Sequence, residues 1–473
     1  VPFYTRSMVY TMPEFLERRY NPQSRTILSV ISLVSYVLTK VAVTVYAGGL
    51  VFQQVFGIKE LWGIDFFWIA AIGLVVLTAL YTIFGGMKSV LYTSVLQTPI
   101  LLLGSLIILV LGFKELGGWD EMMRVCGAVT VNDYGDTMTN LIRSNDDANF
   151  PWLGALIGSA IIGFWYWCTD QFIVQRVLSG KNEMEARRGT IFGAYLKLLP
   201  VFLFLIPGMI AFALHQKYIG AGGEGFLPML ENGTANADAA FPTLVAKLLP
   251  AGVKGLVVCG ILAALMSSLA SLFNSSAMLF TIDFYKRFRP QTSEKKLVGI
   301  GQVATVVIVI LGILWIPIMR SVGDVLYTYL QDVQSVLAPG IAAAFLLGIC
   351  WKRTSAQGGM WGLIAGMVIG LTRLGAKVYY SNAGEVADST FKYLFYDMNW
   401  LFFCGWMFLF CIIVVIVVSL ATEAPTAEKI QGLVFGTATK EQKAATRASW
   451  DHWDIIHTAI ILAITAAFYW YFW

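Results

Sequence analysis

Long apolar runs separated by shorter polar segments extend from residue 27 to residue 473. Many of them reach the roughly 20 residues that a helix needs to cross about 30 Å of hydrocarbon. The strands of a membrane barrel would be shorter and would alternate apolar with polar residues, which these runs do not. Lipid cannot satisfy free backbone groups, so the pattern predicts helices. We predict eleven spanning helices, at about 27–51, 64–84, 94–113, 152–173, 191–214, 252–282, 297–319, 322–349, 358–376, 399–420 and 454–473.

The composition agrees with a membrane protein and argues against other classes. Hydrophobic residues make up 57% of the 473 residues and charged residues 13%, whereas a soluble protein needs roughly a quarter charged residues. The net charge of +4 comes from the loops, and no basic tract suggests a nucleic-acid partner. Because the runs extend from end to end, we expect residues 1–473 to form a single transmembrane domain in a lipid bilayer.

The distribution of lysine and arginine sets the expected orientation. Both are more frequent in alternate polar segments when residues 1–26 are placed in the cytoplasm. The long polar loops 114–150 and 215–251 then lie outside. The six cysteines show no paired external framework, which favours the plasma membrane of a bacterium, its inner membrane.

No set of residues suggests catalysis. The histidines, His215, His452 and His457, have no zinc spacing, and no Ser/His/Asp or Cys/His arrangement suggests a nucleophile. We therefore predict that the protein is not an enzyme. A receptor built on a transporter fold is the remaining alternative of a different class, although the sequence carries no signalling domain.

Ionisable and aromatic residues interrupt two of the apolar runs. A charged side chain inside a span costs free energy and marks a pathway or a partner. Lys40 lies in mid-run, where it is poorly placed to snorkel to an interface. Asp170 follows three consecutive aromatic residues, Trp165 to Trp167. Rings beside a hydrogen-bonding group suit a sugar, but an aromatic belt at the interface would have the same composition.

Other polar positions in the runs leave two interpretations open. Lys197 lies close to a proline and could snorkel or mark a kink. Gln331 and Asp332 precede Pro339, which suggests a cavity where irregular backbone is tolerated. The stretch 264–276 is dense in hydroxyl groups. Such groups usually serve helix packing, but they can also supply oxygens to a cation such as Na⁺.

Four long motifs occur in order along the chain: YTMPEFLERRY at 10–20, YTIFGGMKS at 81–89, WYWCTDQFIVQR at 165–176 and LMSSLASLFNS at 265–275. In these motifs the sequence resembles the sodium:solute symporter family, and most closely its sodium/glucose cotransporter branch. The likeness covers essentially the whole chain, and the last two motifs are specific to the sugar branch. So many long motifs in the same order do not arise by chance.

The resemblance implies an all-α polytopic LeuT-like fold, with two inverted five-helix repeats and a midplane site built from broken helices. It divides the chain into 1–113, three helices of the first repeat; 114–151, an external loop; 152–349, the second repeat; and 350–473, accessory C-terminal helices. In the family, three further spans precede the position of Val1. We therefore expect the N-terminal spans to be absent and this chain alone not to transport.

The same resemblance implies sodium-coupled secondary active symport of a monosaccharide, of the glucose or galactose type, by alternating access. The residues that would bind or line the sugar site are Gln331, Lys197, Asp170, Tyr166, Trp167, Tyr36 and Lys40. Gln331 and Lys197 would bond sugar hydroxyls, and Tyr36 would cap the site. Myo-inositol is the main alternative solute, and sialic acid or an amino acid are others.

The sodium site that the resemblance implies uses the backbone carbonyl of Ala264 and the hydroxyls of Ser267 and Ser268. Two departures from the family pattern concern a second ion. Relatives that carry two Na⁺ have an aspartate at the position of Ser94, and Ala270 lacks a hydroxyl that often occurs there. A second cation site without its carboxylate is weak, so we expect one Na⁺ per sugar.

Overall fold

The protein is built almost entirely from helices, as the apolar runs predict. The structure, a computed structural model, describes residues 2–7, 9, 11–230, 233–322, 325–383 and 387–472. Helices hold 78% of the chain, which confirms the all-α class. A short antiparallel hairpin lies in the described ranges, formed by β1 (Glu60–Leu61) and β2 (Ile64–Asp65).

The helices vary in length from one turn to many. The first half of the chain forms α1 (Pro2–Ser7), α2 (Met12–Arg19), α3 (Pro22–Ser35), α4 (Ala42–Phe56), α5 (Phe66–Leu116), α6 (Trp119–Gly127), α7 (Trp152–Cys168), α8 (Gln171–Leu178), α9 (Glu183–Pro200), α10 (Ile206–Gly220) and α11 (Ala240–Leu248). The second half forms α12 (Ala251–Met278), α13 (Lys286–Phe288), α14 (Glu294–Val322), α15 (Leu326–Cys350), α16 (Ala356–Asn382), α17 (Thr390–Lys392), α18 (Trp400–Ala421), α19 (Ala427–Ile430), α20 (Lys440–Ala448) and α21 (His452–Tyr471).

Several of the long helices contain wider or tighter turns. The π-helical segments are Tyr36–Val41, Val201–Leu205, Leu279–Tyr285 and Tyr393–Asp397, and one 3₁₀ turn covers Ala237–Ala239. The first of these segments joins α3 to α4. Single π turns inside α-helices often mark functional sites, and Tyr36–Val41 holds two of the candidate residues.

Membrane spans agree closely with the predicted runs. In the described residues nine helical stretches are long and apolar enough to cross a membrane, and the bent pair α7–α8 makes a tenth. The remaining run, 64–84, corresponds to the shorter apolar stretch Phe66–Leu80. It continues into the next run, because α5 extends over 51 residues. A fall in hydropathy between two runs does not end a helix unless a cap or a proline ends it there.

One compact unit comprises Val1–Lys40, Asn145–Gly193 and Ser275–Leu462. At its centre α15 packs against α7, α16 and α18. Glycine lets the backbones of α15 and α16 approach closely, since a Cβ on Gly366 would lie 2.6 Å from the Cα of Gly340. The buried aromatic and aliphatic side chains of this core include those of Phe15, Tyr20, Ile341, Phe345 and Leu363.

A second compact unit comprises Val41–Ser144, Ala194–Asn274 and Ala463–Trp473. Here α4 packs on α5 and α11, and α10 packs on the same two helices. The fully buried side chains of its core include those of Ile108, Ile210, Leu214, Leu244 and Val245. The predicted division of the chain into inverted repeats and accessory helices stays a prediction.

Candidate functional site

A break between two helices lies at the centre of the candidate site. Helix α7 ends at Cys168, α8 begins at Gln171, and the two bend by 46°. The backbone at the break is satisfied locally, because the carbonyl of Trp165 accepts hydrogen bonds from the amides of Thr169 and Asp170 at 3.0 and 3.1 Å. Broken helices whose ends are satisfied are the arrangement with which transporters build sites inside a membrane.

Asp170 caps α8 and binds two residues of a distant segment. Its Oδ1 accepts from the amide of Phe172 at 3.1 Å, so a carboxylate lies at the positive end of the helix. The hydroxyl of Tyr36 donates to the same oxygen at 3.0 Å, and Lys40 forms an ion pair with Oδ2. The structure thus brings together three predicted residues, with Asp170 more than 100 positions from the other two in the sequence.

The ammonium group of Lys40 is enclosed by aromatic rings as well as by Asp170. The ring centroids near its Nζ are those of Phe172 at 4.5 Å, Tyr36 at 4.8 Å, Tyr166 at 5.3 Å and Trp165 at 5.8 Å. Each lies within the range of about 6 Å in which a ring face attracts a cation. Lys40 is 8% exposed and Asp170 5%. A buried charge is therefore matched by one carboxylate and by several ring faces.

Glutamine side chains hold α8 in place behind Asp170. The Oε1 of Gln171 accepts from the backbone amide of Met12 at 2.8 Å, which joins α8 to the start of α2. One turn later, the Nε2 of Gln175 donates to the hydroxyl of Ser275 at 2.6 Å. Buried amides that are paired in this way specify one arrangement of the helices. They account for part of the motif at 165–176.

Gln331 lies on the second turn of α15, half-buried, and its Nε2 donates to the hydroxyl of Tyr327 at 2.9 Å. Two residues before it, the hydroxyl of Tyr329 donates to the carbonyl of Leu38 at 2.9 Å and accepts from the indole of Trp315 at 2.6 Å. Leu38 belongs to the π-helical segment of Tyr36 and Lys40. The structure therefore ties the turn that carries Gln331 to the segment that carries the ion pair.

Two predicted sugar-site residues have different surroundings. Trp167 is 49% exposed, and its ring packs edge-on against that of Tyr166 with centroids 5.3 Å apart. Lys197 is exposed on α9 and belongs to the second compact unit. Their assignment to the sugar site stays a prediction.

The predicted sodium residues lie on α12, in the second compact unit. Ala264, Ser267 and Ser268 have the i, i+3, i+4 spacing that puts side chains on one helix face. The hydroxyls of Ser267 and Ser94 form a hydrogen bond of 2.6 Å. Ser94, where the resemblance implies an aspartate in two-ion relatives, thus contacts a predicted sodium residue. Hydroxyl and carbonyl oxygens are the donors that a hard cation prefers, so the chemistry of this face fits Na⁺.

Sequence reasoning missed three residues that the geometry brings into the site. Trp165, rather than Trp167, places its ring beside Lys40, and Phe172 supplies the nearest ring. Positions 165 and 167 lie about 200° apart on a helix, so their side chains project from nearly opposite faces. The sequence could have excluded one of them from the site only if the buried face of α7 had been known. Tyr329 gave no signal, because a tyrosine in a span is ordinary at a membrane interface.

A model of the sodium:solute symporter family matches residues 1–370, well over half of the chain. The chain belongs to the sodium:solute symporter family. It is therefore a transporter, not an enzyme, and Na⁺ is the ion to which this family couples transport. With its nine or ten apolar spans in the described residues, this symporter is an integral, multi-pass membrane protein.

Relatives in several mammals match most of this symporter chain. It is 36% identical to the sodium/mannose cotransporter of Bos taurus, over 100% of this chain and 82% of that protein. It is 35% identical to the human sodium/myo-inositol cotransporter 2 and 37% identical to the Ovis aries sodium/glucose cotransporter 1. These matches cover 92% and 89% of this chain, which spans 66% and 65% of the two relatives.

A solved structure confirms the fold of this symporter. The substrate-bound, outward-open state of a Na⁺-coupled sialic acid symporter superposes with a TM-score of 0.66 at 21% identity. The match covers 90% of this chain and 80% of that one. The predicted LeuT-like fold is therefore confirmed.

Proposed function

We propose that the full-length protein is a symporter that couples Na⁺ entry to uptake of a monosaccharide of the glucose or galactose type by alternating access. The observation that carries this proposal is the Lys40–Asp170 ion pair at the break between α7 and α8, with rings around it. The site residues we propose for the sugar are Gln331, Lys197, Asp170, Tyr166, Trp167, Tyr36 and Lys40. The membrane we propose is the plasma membrane, in a bacterium its inner membrane.

The charge balance at Lys40 supports an uncharged solute. A free lysine in a closed site would attract a carboxylate, but Asp170 already compensates this one. The pair then offers hydrogen bonds rather than net charge, and the rings offer apolar faces, which together suit a sugar or polyol. An acidic solute such as sialic acid would instead need a further cation, either Lys197 of the proposed set or Arg176, whose Cζ lies 5.4 Å from the ring centroid of Phe172.

The second candidate solute is myo-inositol. It is an uncharged ring of hydroxyl groups, so the same charge argument favours it over an amino acid or sialic acid. The relatives of similar identity include sodium/myo-inositol and sodium/glucose cotransporters. The two solutes are distinguished by the uptake experiment below.

The hydroxyl face of α12 supports one Na⁺ per sugar. We propose that the carbonyl of Ala264 and the hydroxyls of Ser267 and Ser268 bind the ion. These three oxygens all come from a single helix face, so further ligands come from other parts of the fold. Ser94 pairs with Ser267 by hydroxyl groups alone, and such a pair compensates a second cation poorly compared with a carboxylate.

Coupling follows from linkage between the two ligands. If Na⁺ binding favours the conformation in which the sugar site is assembled, then Na⁺ raises the affinity for sugar. By thermodynamic reciprocity, sugar must raise the affinity for Na⁺ by the same factor.

The test is uptake of radiolabelled glucose, galactose, myo-inositol and sialic acid into proteoliposomes that carry the full-length protein, with and without an inward Na⁺ gradient. We expect Na⁺-dependent uptake of a hexose. Gln331→Ala should weaken sugar affinity by about 1–3 kcal/mol, because it leaves hydroxyl partners unpaired. Gln357→Ala is the matched control, since this glutamine is exposed at the start of α16.

Each outcome of the uptake experiment has a distinct meaning. Uptake of myo-inositol without hexose uptake would replace the solute and keep the site. Uptake of sialic acid would contradict the charge argument at Lys40. Equal uptake with and without the Na⁺ gradient would contradict the coupling.

A further inference from the structure

A buried ionic network lies immediately after the proposed sugar residue Gln331. Asp332 is buried on α15 and forms an ion pair with Lys377 of α16 through its Oδ2. Its Oδ1 lies 3.6 Å from Nη2 of Arg373, one turn earlier on α16. Arg373 and Lys377 are four residues apart, so both project from the same face of that helix. One carboxylate of α15 is thus bonded to Lys377 and faces the guanidinium of Arg373.

The guanidinium of Arg373 extends this network beyond α16. It is fully buried, and it donates to the backbone carbonyls of Met398 at 2.7 Å and Leu394 at 3.3 Å. Its Cζ lies 4.0 Å from the ring centroid of Phe403, on α18. Three other contacts therefore hold the Arg373 guanidinium in place beside Asp332.

Stability alone is a poor explanation for such a network. Removing charges from water costs several kcal/mol per ion, and the attraction between them often does no more than offset that cost. The best-attested use of a buried polar pair is to fix one register between helices. At this place the backbones of α15 and α16 pack through glycine, where a Cβ on Gly370 would clash with the carbonyl of Val336. Glycine has no side chain to interlock with the facing helix at this contact, so the ionic contacts of Asp332 are placed to fix the register there.

Two anchors act on the same turn of α15. Tyr329 ties it to the carbonyl of Leu38, and Asp332 ties it to α16. Successive residues are about 100° apart on a helix, so Gln331 points away from Asp332 and its direction depends on how the turn is rotated. Rotation by a fraction of one residue step would carry the Gln331 amide away from any hydroxyl it binds.

We propose that Asp332 is a positioning residue for sugar binding: held by Lys377 and Arg373, it sets the rotation of α15 and so the direction of the Gln331 amide. The inference rests on the proposed role of Gln331. It assigns a task to a carboxylate that touches no substrate itself. In this proposal, the ion pair with Lys377, rather than packing alone, fixes the position of Asp332.

Transport kinetics provide the first test. In proteoliposomes with the full-length protein, Asp332→Asn should raise the KM for the transported sugar about tenfold. The maximal rate per folded transporter and the Na⁺ concentration for half-maximal rate should change less than twofold. Lys377→Gln should do the same, while Lys377→Arg keeps the charge and should stay within twofold of wild type. A merely structural role would lower the maximal rate through loss of folded protein and leave KM unchanged.

A double variant and a matched control sharpen this test. Because both single changes remove one interaction, Asp332→Asn with Lys377→Gln should raise KM no more than the larger single effect. The control pair is Asp388 and Lys392, an exposed ion pair four residues apart after α16. Asp388→Asn with Lys392→Gln should leave KM unchanged. Multiplied effects in the double variant at Asp332 and Lys377 would overturn the proposal.

A second readout is independent of the substrate. Gln331→Cys, on a background in which the exposed cysteines Cys168, Cys259 and Cys350 are alanine, reports the direction of this side chain by its rate of maleimide labelling. Adding Lys377→Gln should change that rate at least threefold, and adding Lys392→Gln should not. Should the wild type take up no sugar or polyol, the proposed function fails and this labelling still decides the rotation. An unchanged rate would overturn the inference.

Discussion

The two polar regions of this symporter differ in how their polar groups are paired. In the first compact unit, Lys40 and Asp170 form an ion pair among aromatic rings. In the second, Ser94 and Ser267 share a hydrogen bond between uncharged hydroxyls. A region that already balances its charges can receive an uncharged solute through hydrogen bonds. A region that presents uncharged oxygens can receive a positive ion.

Removing one charge of the first region is expected to have the largest effect. Asp170→Asn keeps the shape of the side chain but leaves Lys40 buried without its counter-ion. Breaking a buried pair in this way costs about 3–5 kcal/mol, so the free energy of unfolding in mixed micelles should fall by that amount and uptake should be lost. Chemical denaturation followed by tryptophan fluorescence measures the first quantity.

The control for this change is an ion pair at the surface. Asp388→Asn breaks a pair with Lys392 in which the carboxylate is 95% exposed, and exposed pairs contribute about 0–1 kcal/mol. Lys40→Met combined with Asp170→Asn should recover much of the lost stability without recovering uptake. Near-wild-type stability of Asp170→Asn alone would show that the pair is not a compensated centre.

Removing one oxygen from the second region should have a smaller effect. Ser268→Ala takes away a hydroxyl from the proposed Na⁺ face of α12, and we expect the Na⁺ concentration for half-maximal uptake to rise about tenfold. The KM for sugar at saturating Na⁺ should not change, because no contact in the first region is altered. Ser381→Ala, at an exposed position of α16, is the control. A changed sugar KM with an unchanged Na⁺ dependence would reverse the two assignments.

Adding a charge to the second region should have the smallest effect on affinity for Na⁺ and sugar. It tests the number of Na⁺ ions moved per sugar most directly. Ser94→Asp places a carboxylate beside Ser267, where the hydroxyl now lies 2.6 Å away. We expect the charge moved per sugar to rise from one to two and the Hill coefficient for Na⁺ to approach two. Ser94→Ala should leave both near one. Two charges per sugar in the wild type would refute the proposed single-ion stoichiometry.

The sequence predicts some features of this molecule and not others. The apolar runs locate the spans, because hydrophobic length is a local property. Lys40 and Asp170 could be singled out because a charge in an apolar run is costly wherever it lies. Their pairing could not be read from the residues, since 130 positions separate them and only the fold brings them together.

The sequence alone does not predict which face of a helix is buried or where a helix is continuous. Three adjacent aromatic residues point in three directions, so the choice of Trp165 over Trp167 depends on which face α7 buries. The runs 64–84 and 94–113 read as two helices, yet α5 is continuous. Asp332 stood out as polar near a proline, but its partners Lys377 and Arg373 lie on the next helix and gave no local signal.

Under the proposed stoichiometry of one Na⁺ per sugar, the hydroxyl at Ser94 would limit how far this symporter can concentrate its solute. One Na⁺ moving through 100 mV releases about 2.3 kcal/mol, and a tenfold concentration ratio requires about 1.4 kcal/mol. The electrical term alone therefore permits about 50-fold accumulation with one ion, and about 2,500-fold with two. A cell that carries the single-ion form reaches its limit sooner but admits half as much sodium per molecule taken up. The proposed single-ion form would therefore suit surroundings in which the solute is not scarce.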